Sequence, residues 1–449
     1  MNEKAGKGKA KQANHYHLVG VAGVGMSALA QALIHAGHMV TGSDRSYSLA
    51  ENATTTSKLE RTGVRFVAQD GSGIRSSVAS VVVSTAIESD NPDVVHARSI
   101  NVPVRHRSEV LAELVCDRTC IAITGTAGKS TVAGMIGWIL EAGGHDPWVL
   151  NGAPVLNWVD ECRIGNFRGG ESELCVVEAD ESDRSLLQFT PDWGVITNMS
   201  RDHFEIDETL RLFDTFHDRC ATGVVSAVHD PELLRDMHVE TTVTGVRFVL
   251  RDVAYEMSLP GKHNAENGAL AAELCLRMGV EPGQIHCGLS SFQGIERRLQ
   301  KVGEAAGVCV FDDYAHNPAK IRAAWETLAE KHSRIIAVWR PHGFGPLAMM
   351  LDDLSETLSS LCREKDRIYL LPVYDAGGTA DRGINSEALV ERLPACCASL
   401  ADSVDELPMH VADEAADGDA VLVMGARDPN LSLLAERIFK EVEGPGRRM

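Results

Sequence analysis

The chain has 449 residues, 44% of them hydrophobic, and a formal net charge of −20. That length predicts several domains with room for more than one core, and the acidic balance excludes nucleic acid or an anionic membrane surface as the main partner. No run approaches the roughly 18 consecutive apolar residues of a membrane span. The eleven scattered cysteines lack CxxC metal spacing and a secretion signal, so they are expected to be reduced cytoplasmic thiols.

Residues 1–14 carry Lys4, Lys7, Lys9 and Lys11 among small and polar residues, and are expected to form a solvated, disordered tail. The block 15–116 opens with a predicted strand at His17–Val19, a helix over Met26–His35, a second strand at His38–Thr41 and a later one at Val81–Val83. Such alternation predicts a parallel sheet covered by helices. Between the first strand and helix lies Gly20-Val21-Ala22-Gly23-Val24-Gly25, and Asp44 ends the next strand. Glycines let a backbone approach a diphosphate, and an acid at that strand end suits ribose hydroxyls. The order GxxGxG differs from the dinucleotide fingerprint GxGxxG. A nicotinamide-type dinucleotide, another diphosphate such as a UDP-sugar, and a merely tight turn therefore all fit.

The block 117–296 begins with the apolar run Cys120–Ile123, then Thr124-Gly125-Thr126-Ala127-Gly128-Lys129-Ser130-Thr131 and a helix starting near Val132. Glycines can wrap an anion, the helix start faces phosphates, Lys129 supplies charge and Ser130 a hydroxyl for magnesium. Ile123 stands where the strict phosphate loop has glycine, so only the strand–loop–helix context matches. Glu178-Ala179-Asp180-Glu181-Ser182-Asp183 follows a predicted strand at Leu174–Val177, and Thr197 to His203 follows another at Gly194–Ile196. Strand ends are where α/β sheets place ligands, and carboxylate, imidazole and hydroxyl together would hold magnesium. Asn264 and Asn267 sit three apart on one predicted helix face, in reach of an adenine or ribose.

The block 297–449 opens with Arg297-Arg298, a pair suited to phosphate charge. A strand at Val308–Phe311 runs into Asp312-Asp313-Tyr314-Ala315-His316-Asn317-Pro318, and further strands are expected at Ile335–Val338, Ile368–Leu371 and Ala420–Val423. Taken singly, each motif also reads as something plainer: a solvated acidic face, a structural histidine, a helix cap, a surface basic pair or an Asn-Pro turn.

In this order and at these separations, the lysine loop, the Glu178–Asp183 strand end, Asn198-x4-His203, Gly261-x-His263-Asn264-x2-Asn267, Arg297-Arg298 and Asp312-Asp313-Tyr314-x-His316-x-Pro318 resemble the Mur ligases. That family adds amino acids to the UDP-linked precursor of peptidoglycan, and the resemblance runs from about residue 15 to the end of the chain. Met26 after the first glycine loop, Gly42-Ser43-Asp44, Ser84–Ile87 and Arg107-x-Glu109-x-Leu111–Leu114 are similar to the alanine-adding branch. The absence of lysine between Lys129 and Lys262 agrees with that branch. Ala127, Gly343 and the segment 425–430 depart from its usual residues.

The resemblance implies an α/β chain of three domains: an N-terminal Rossmann-like UDP-binding domain, a central P-loop-type ATP-binding domain with a mostly parallel sheet, and a C-terminal Rossmann-like domain for the amino acid and for closure. It implies that Gly125, Thr126, Ala127, Gly128, Lys129, Ser130 and Thr131 surround ATP, with Asn264 and Asn267 on the nucleotide. Ser130, Glu178 and His203 would hold two magnesium ions, and Lys129, Arg298, Asp313 and His316 would serve the reaction. Gly20, Gly23, Gly25, Asp44, Thr85 and Arg107 would face the UDP-sugar. The implied substrates are ATP, UDP-N-acetylmuramate and L-alanine, with no nicotinamide, no nucleic acid and no membrane, in a cytoplasmic monomer or homodimer. A family member that attaches a whole peptide and, from loop 20–25 alone, a nicotinamide-dependent oxidoreductase are the alternatives.

Overall fold

The computed structural model describes residues 13–45, 47, 53–200, 204–235, 237–242, 245–375, 382–394, 397–401 and 403–444. The basic tail (apart from residues 13 and 14) and His203 lie outside the described residues. The chain divides into two compact units, 1–259 with 264–295 and 260–263 with 296–449.

The first unit holds three sheets. Strands β1 (His15–Val19), β2 (Met39–Ser43), β3 (Arg65–Phe66), β4 (Ser80–Val83) and β5 (Val104–His106) form a parallel sheet in the order β3-β2-β1-β4-β5. The strand order reverses at β1, so the glycine loop after β1 and the turn after β4 flank the crevice where open α/β sheets bind ligands. Strands β6 (Thr119–Thr124), β7 (Trp148–Leu150), β8 (Phe167–Arg168), β9 (Leu174–Glu178), β10 (Trp193–Ile196) and β11 (Gly223–Ser226) pair in the order β11-β10-β6-β9-β7-β8. All are parallel except the β7–β8 pair. Strand β6 is central and its residues 120–124 are buried, which is why Cys120–Ile123 is continuously apolar.

A feature the sequence reading did not anticipate is a three-stranded antiparallel sheet, β12 (Val239–Thr241), β13 (Val246–Leu250) and β14 (Val253–Met257). On β13, Val246, Phe248 and Leu250 are buried while Arg247 and Val249 are exposed. That period of two marks a sheet with one face on the core. Its buried face packs on the helices Lys262–Arg277 and Pro282–Ser291, with Phe248 and Met257 against Gly268. The phosphate-loop helix Lys129–Ala142 lies between the second sheet and the helix Pro282–Ser291, where Ile139 meets Gly288. Asn166, fully buried, accepts from the Gln31 amide at 2.9 Å and donates to Val24 O and Ser27 Oγ, tying the helix Val24–His35 to the second sheet.

The second unit is one sheet of β15 (Gln300–Ala305), β16 (Val308–Asp313), β17 (Arg334–Trp339), β18 (Arg367–Leu370), β19 (Ala398–Leu400) and β20 (Asp419–Met424), in the order β15-β16-β20-β17-β18-β19. Only the edge strand β15 runs antiparallel. Here one expectation is corrected: Cys362 and Cys397 form a disulfide, so the cysteines are not all reduced thiols. The helix Phe344–Leu361 ends at Cys362 and the turn before β19 ends at Cys397, which brings Cα atoms 35 residues apart in sequence to 6.4 Å. No short cysteine spacing announces a pair made by the fold. No helix among the described residues is long and apolar enough to cross a membrane.

Candidate active site

Strand β6 delivers the chain into the lysine loop. Gly125 and Gly128 have φ of 131° and 83°, a region that side-chain-bearing residues seldom occupy. A side chain at Gly128 would come within 2.5 Å of the Asn267 amide oxygen, so Asn267 faces the loop. Both Asn264 and Asn267 are buried. The loop is braced from the end of β10. Thr126 donates its hydroxyl to Asn198 Oδ1 at 2.8 Å, the Ala127 N–H donates to the same oxygen at 3.0 Å, and Asn198 Nδ2 and Thr197 Oγ1 both donate to Ala127 O. Asn198 is therefore the loop's main clamp, a role visible only once β10 is known to lie beside β6.

Helix Lys129–Ala142 starts directly after Gly128, so the free amides of its first turn and its dipole face the loop. Lys129 Nζ donates to Glu181 Oε2 at 2.6 Å and to Gly125 O at 2.8 Å, with Asp180 at 3.6 Å. Burial disfavours this ammonium, but Glu181, Asp180 and Glu178 outweigh burial and raise its pKa. Burial likewise pushes Asp180 up, yet Lys129 and Ser182 bring it down to about 2. Glu181 goes the other way: burial, with Asp180 beside it, raises it against the pull of Lys129. Ser130 Oγ donates to Glu178 Oε2 at 2.8 Å, and the Gly152 N–H donates to the same oxygen at 2.7 Å.

A cavity of about 190 Å³ joins these acids to the first glycine loop, with Gly25 and Arg107 on one side and Asn151, Gly152, Glu178 and Asp180 on the other. The Arg107 guanidinium lies against Gly25 where any side chain would collide with it, and it pairs with Asp183 at 3.4 Å. Asn151, 2% exposed, donates to Ser130 O and Ala153 O while its Oδ1 has no partner among the described residues. Nothing in the sequence around Asn151 signalled this.

At the first loop, Gly20 has φ of 73° and the Gly23 N–H closes onto Gly20 O. The Asp44 carboxylate accepts the Ala22 N–H at 2.9 Å, so part of its capacity serves the loop itself. Thr85 is exposed in the turn after β4, beside that loop. Gly20, Gly23, Gly25, Asp44, Thr85 and Arg107 thus border the crevice after β1 and β4.

Metal ligands are brought together only in part. Ser130 and Glu178 meet, His203 lies outside the described residues, and no group of three or more His, Cys, Asp or Glu suited to a metal occurs among the described residues. A hydroxyl beside one carboxylate still fits magnesium, which takes hard oxygen donors and fills most positions with phosphate and water.

In the second unit, Arg298, Asp313 and His316 gather at the end of β16. Arg298 lies over the Tyr314 ring at 5.3 Å from its centroid, and His316 meets Tyr314 at 5.7 Å and His342 at 4.8 Å. Tyr314 OH accepts the Arg427 N–H. The ends of three neighbouring strands, β16, β20 and β17, thus supply one cluster. Asp313 acts on it through the charge of Arg298, while its oxygens accept the backbone N–H groups of Leu299 at 2.5 Å and Ala315 at 2.7 Å.

Three family models match the chain: "Mur ligase family, catalytic domain" over residues 15–119, "Mur ligase middle domain" over 123–213, and "Mur ligase, glutamate ligase domain" over 297–427. Curated proteins called UDP-N-acetylmuramate–L-alanine ligase are similar over nearly the whole length. That of Rhizobium etli is 33% identical, covering 95% of this chain and 97% of its own. That of Novosphingobium aromaticivorans is 32% identical, covering 98% and 100%. Among solved structures, the UDP-N-acetylmuramate-alanine ligase of Thermotoga maritima has the same fold, with a TM-score of 0.78 at 22% identity over 95% of this chain and 98% of that one. A murein peptide ligase from Psychrobacter arcticus gives 0.66 at 21% identity over 96% and 99%.

Proposed function

Because the chain belongs to the Mur ligase family, we propose that it joins L-alanine to UDP-N-acetylmuramate, driven by ATP, with release of ADP and phosphate. Residues 15–116 would hold the UDP moiety, 117–296 the ATP, and 297–449 the amino acid. The observation that carries this reading is the cavity running from Gly25 and Arg107 to Glu178 and Asp180. A ligand anchored by its diphosphate at the first glycine loop could extend a carboxylate through that cavity to the lysine loop.

The chemistry follows from those placements. Loop 125–131 would cradle the triphosphate, with Asn264 and Asn267 toward the nucleoside. The muramoyl carboxylate attacks the γ-phosphorus in line and yields an acyl phosphate; the uncharged amine of L-alanine then attacks the acyl carbon and phosphate leaves. Lys129 and Arg298 stabilise the charge on the transferring group. Ser130, Glu178 and His203 would hold magnesium, which would supply positive charge against the phosphates. Arg107 would orient the carboxylate-bearing substrate, Asp313 would position the Arg298 segment, and His316 would stand near the acceptor.

Incubation with ATP, magnesium, UDP-N-acetylmuramate and single amino acids tests this, read as phosphate release. L-Alanine should give the fastest turnover. Turnover with a tripeptide and little with alanine would replace the acceptor, and no ADP with any acceptor would overturn the reading.

A further inference from the structure

Around Lys129 the first unit carries more acid than one lysine needs. Glu178, Asp180, Glu181 and Asp183 share one strand end, and among the described residues two cations pair with them, Lys129 and Arg107. Three of these acids have other work. Glu178 holds Ser130 and Gly152, Asp180 lines the cavity, and Asp183 pairs with Arg107. Glu181 is different, since it is 2% exposed, does not line the cavity, and takes the Lys129 ammonium at 2.6 Å. Of the three N–H donors on that ammonium, Glu181 and Gly125 O hold two. The lysine charge is therefore balanced before any ligand arrives.

We infer that Glu181 is a positioning residue that keeps Lys129 from serving metal-free triphosphate and yields its charge only when divalent cations enter with the nucleotide. This rests on the reading of loop 125–131 as the ATP site. A bare triphosphate adds negative charge to a site already rich in carboxylates. Drawing Lys129 away would leave Glu181 buried without its counterion, which is strongly unfavourable. Cations entering with the nucleotide compensate the acids, and Lys129 can then turn its remaining donor to the phosphates. Glu181 thus makes the loop selective for the metal-bound form.

Equilibrium binding of ATP to the full chain, with magnesium and with a chelator, tests this, adenosine serving as control. Glu181→Gln keeps the shape and one acceptor oxygen for Nζ while removing the charge. It should bind metal-free ATP about tenfold tighter than wild type, with adenosine affinity unchanged. Equal or weaker metal-free binding overturns the inference. Should that variant not fold, the paired replacement K129M/E181Q removes both charges together. Its metal-free ATP affinity should equal that of wild type, while magnesium-ATP binding weakens. A tenfold loss of metal-free binding would mean that Lys129 already serves the phosphates, and would overturn the inference. Wild-type protein that binds no ATP even with magnesium would instead bring down the functional reading, and this inference with it.

Discussion

Lys129 and Arg297 are equally buried, each with its side chain 13% exposed, and each lies beside carboxylates at a turn with positive φ. They are nonetheless put to opposite uses. Lys129 follows two glycines whose φ values cost little, and two protein acceptors hold two of its three donors. Arg297 itself has φ of 56° and Leu299 46°, a strained region for such residues. Its guanidinium is spent on the protein: Asp312 at 3.4 Å, Asp428 O at 3.2 Å, Gly425 O at 2.7 Å and the Tyr314 ring. Adjacent arginines therefore divide the work. Arg297 and Asp313 hold the strained turn, and Arg298 is presented by it. A cation placed on relaxed glycine backbone has capacity left for a ligand, whereas one that must hold a strained turn has none.

The comparison breaks most visibly at Lys129. Lys129→Ala should lower turnover about a thousandfold, read as phosphate release, while adenosine binding survives. Turnover within tenfold of wild type would mean that Lys129 serves its acids and not the phosphates. Arg297→Ala should instead act on stability, costing the second unit about 3 kcal/mol because Asp312 is left buried without its partner. A lower-melting transition with ATP binding intact is the expected result. An unchanged melting profile with lost turnover would move Arg297 from scaffold to chemistry.

Most of the fold was legible because the apolar strands and the glycines of both loops are local signals. Strands β1, β6, β9, β10 and β16 and the helix after Gly128 lie where the apolar runs predicted them. What escaped depends on which strand neighbours which. Asn198 clamps the lysine loop only because β10 pairs with β6. Glu181 reaches Lys129 only because β9 is the other neighbour of β6. The Cys362–Cys397 bridge depends in the same way on a helix end meeting a distant turn. Asp313 was expected to serve the reaction, and the fold adds that its oxygens accept two backbone N–H groups. A residue's type revealed that it was polar and at a strand end, and the fold decided what it touched.

Asp313 offers the finest test of the contrast, through pH. Burial pushes its carboxyl up to about 6, against the pull of Arg298 and of the Leu299 and Ala315 N–H groups. Its folded pKa lies above the ordinary value of 3.8, so the folded unit binds the proton more tightly than the unfolded chain. Stability from this group therefore declines as pH rises from about 4 to about 6, and its full cost is present above that range. The ionised form is nevertheless the one able to accept from both Leu299 and Ala315. Below about pH 6 the carboxyl loses the charge that faces Arg298, so turnover should fall although the folded unit gains stability. Asp313→Asn fixes a neutral group that turns an NH₂ toward one of those N–H donors. It should lower turnover at neutral pH about tenfold, remove the acid limb near 6, and flatten the decline in stability between pH 4 and 6. An acid limb that persists in Asp313→Asn would belong to another group, and the strained turn would then be held by Arg297 alone.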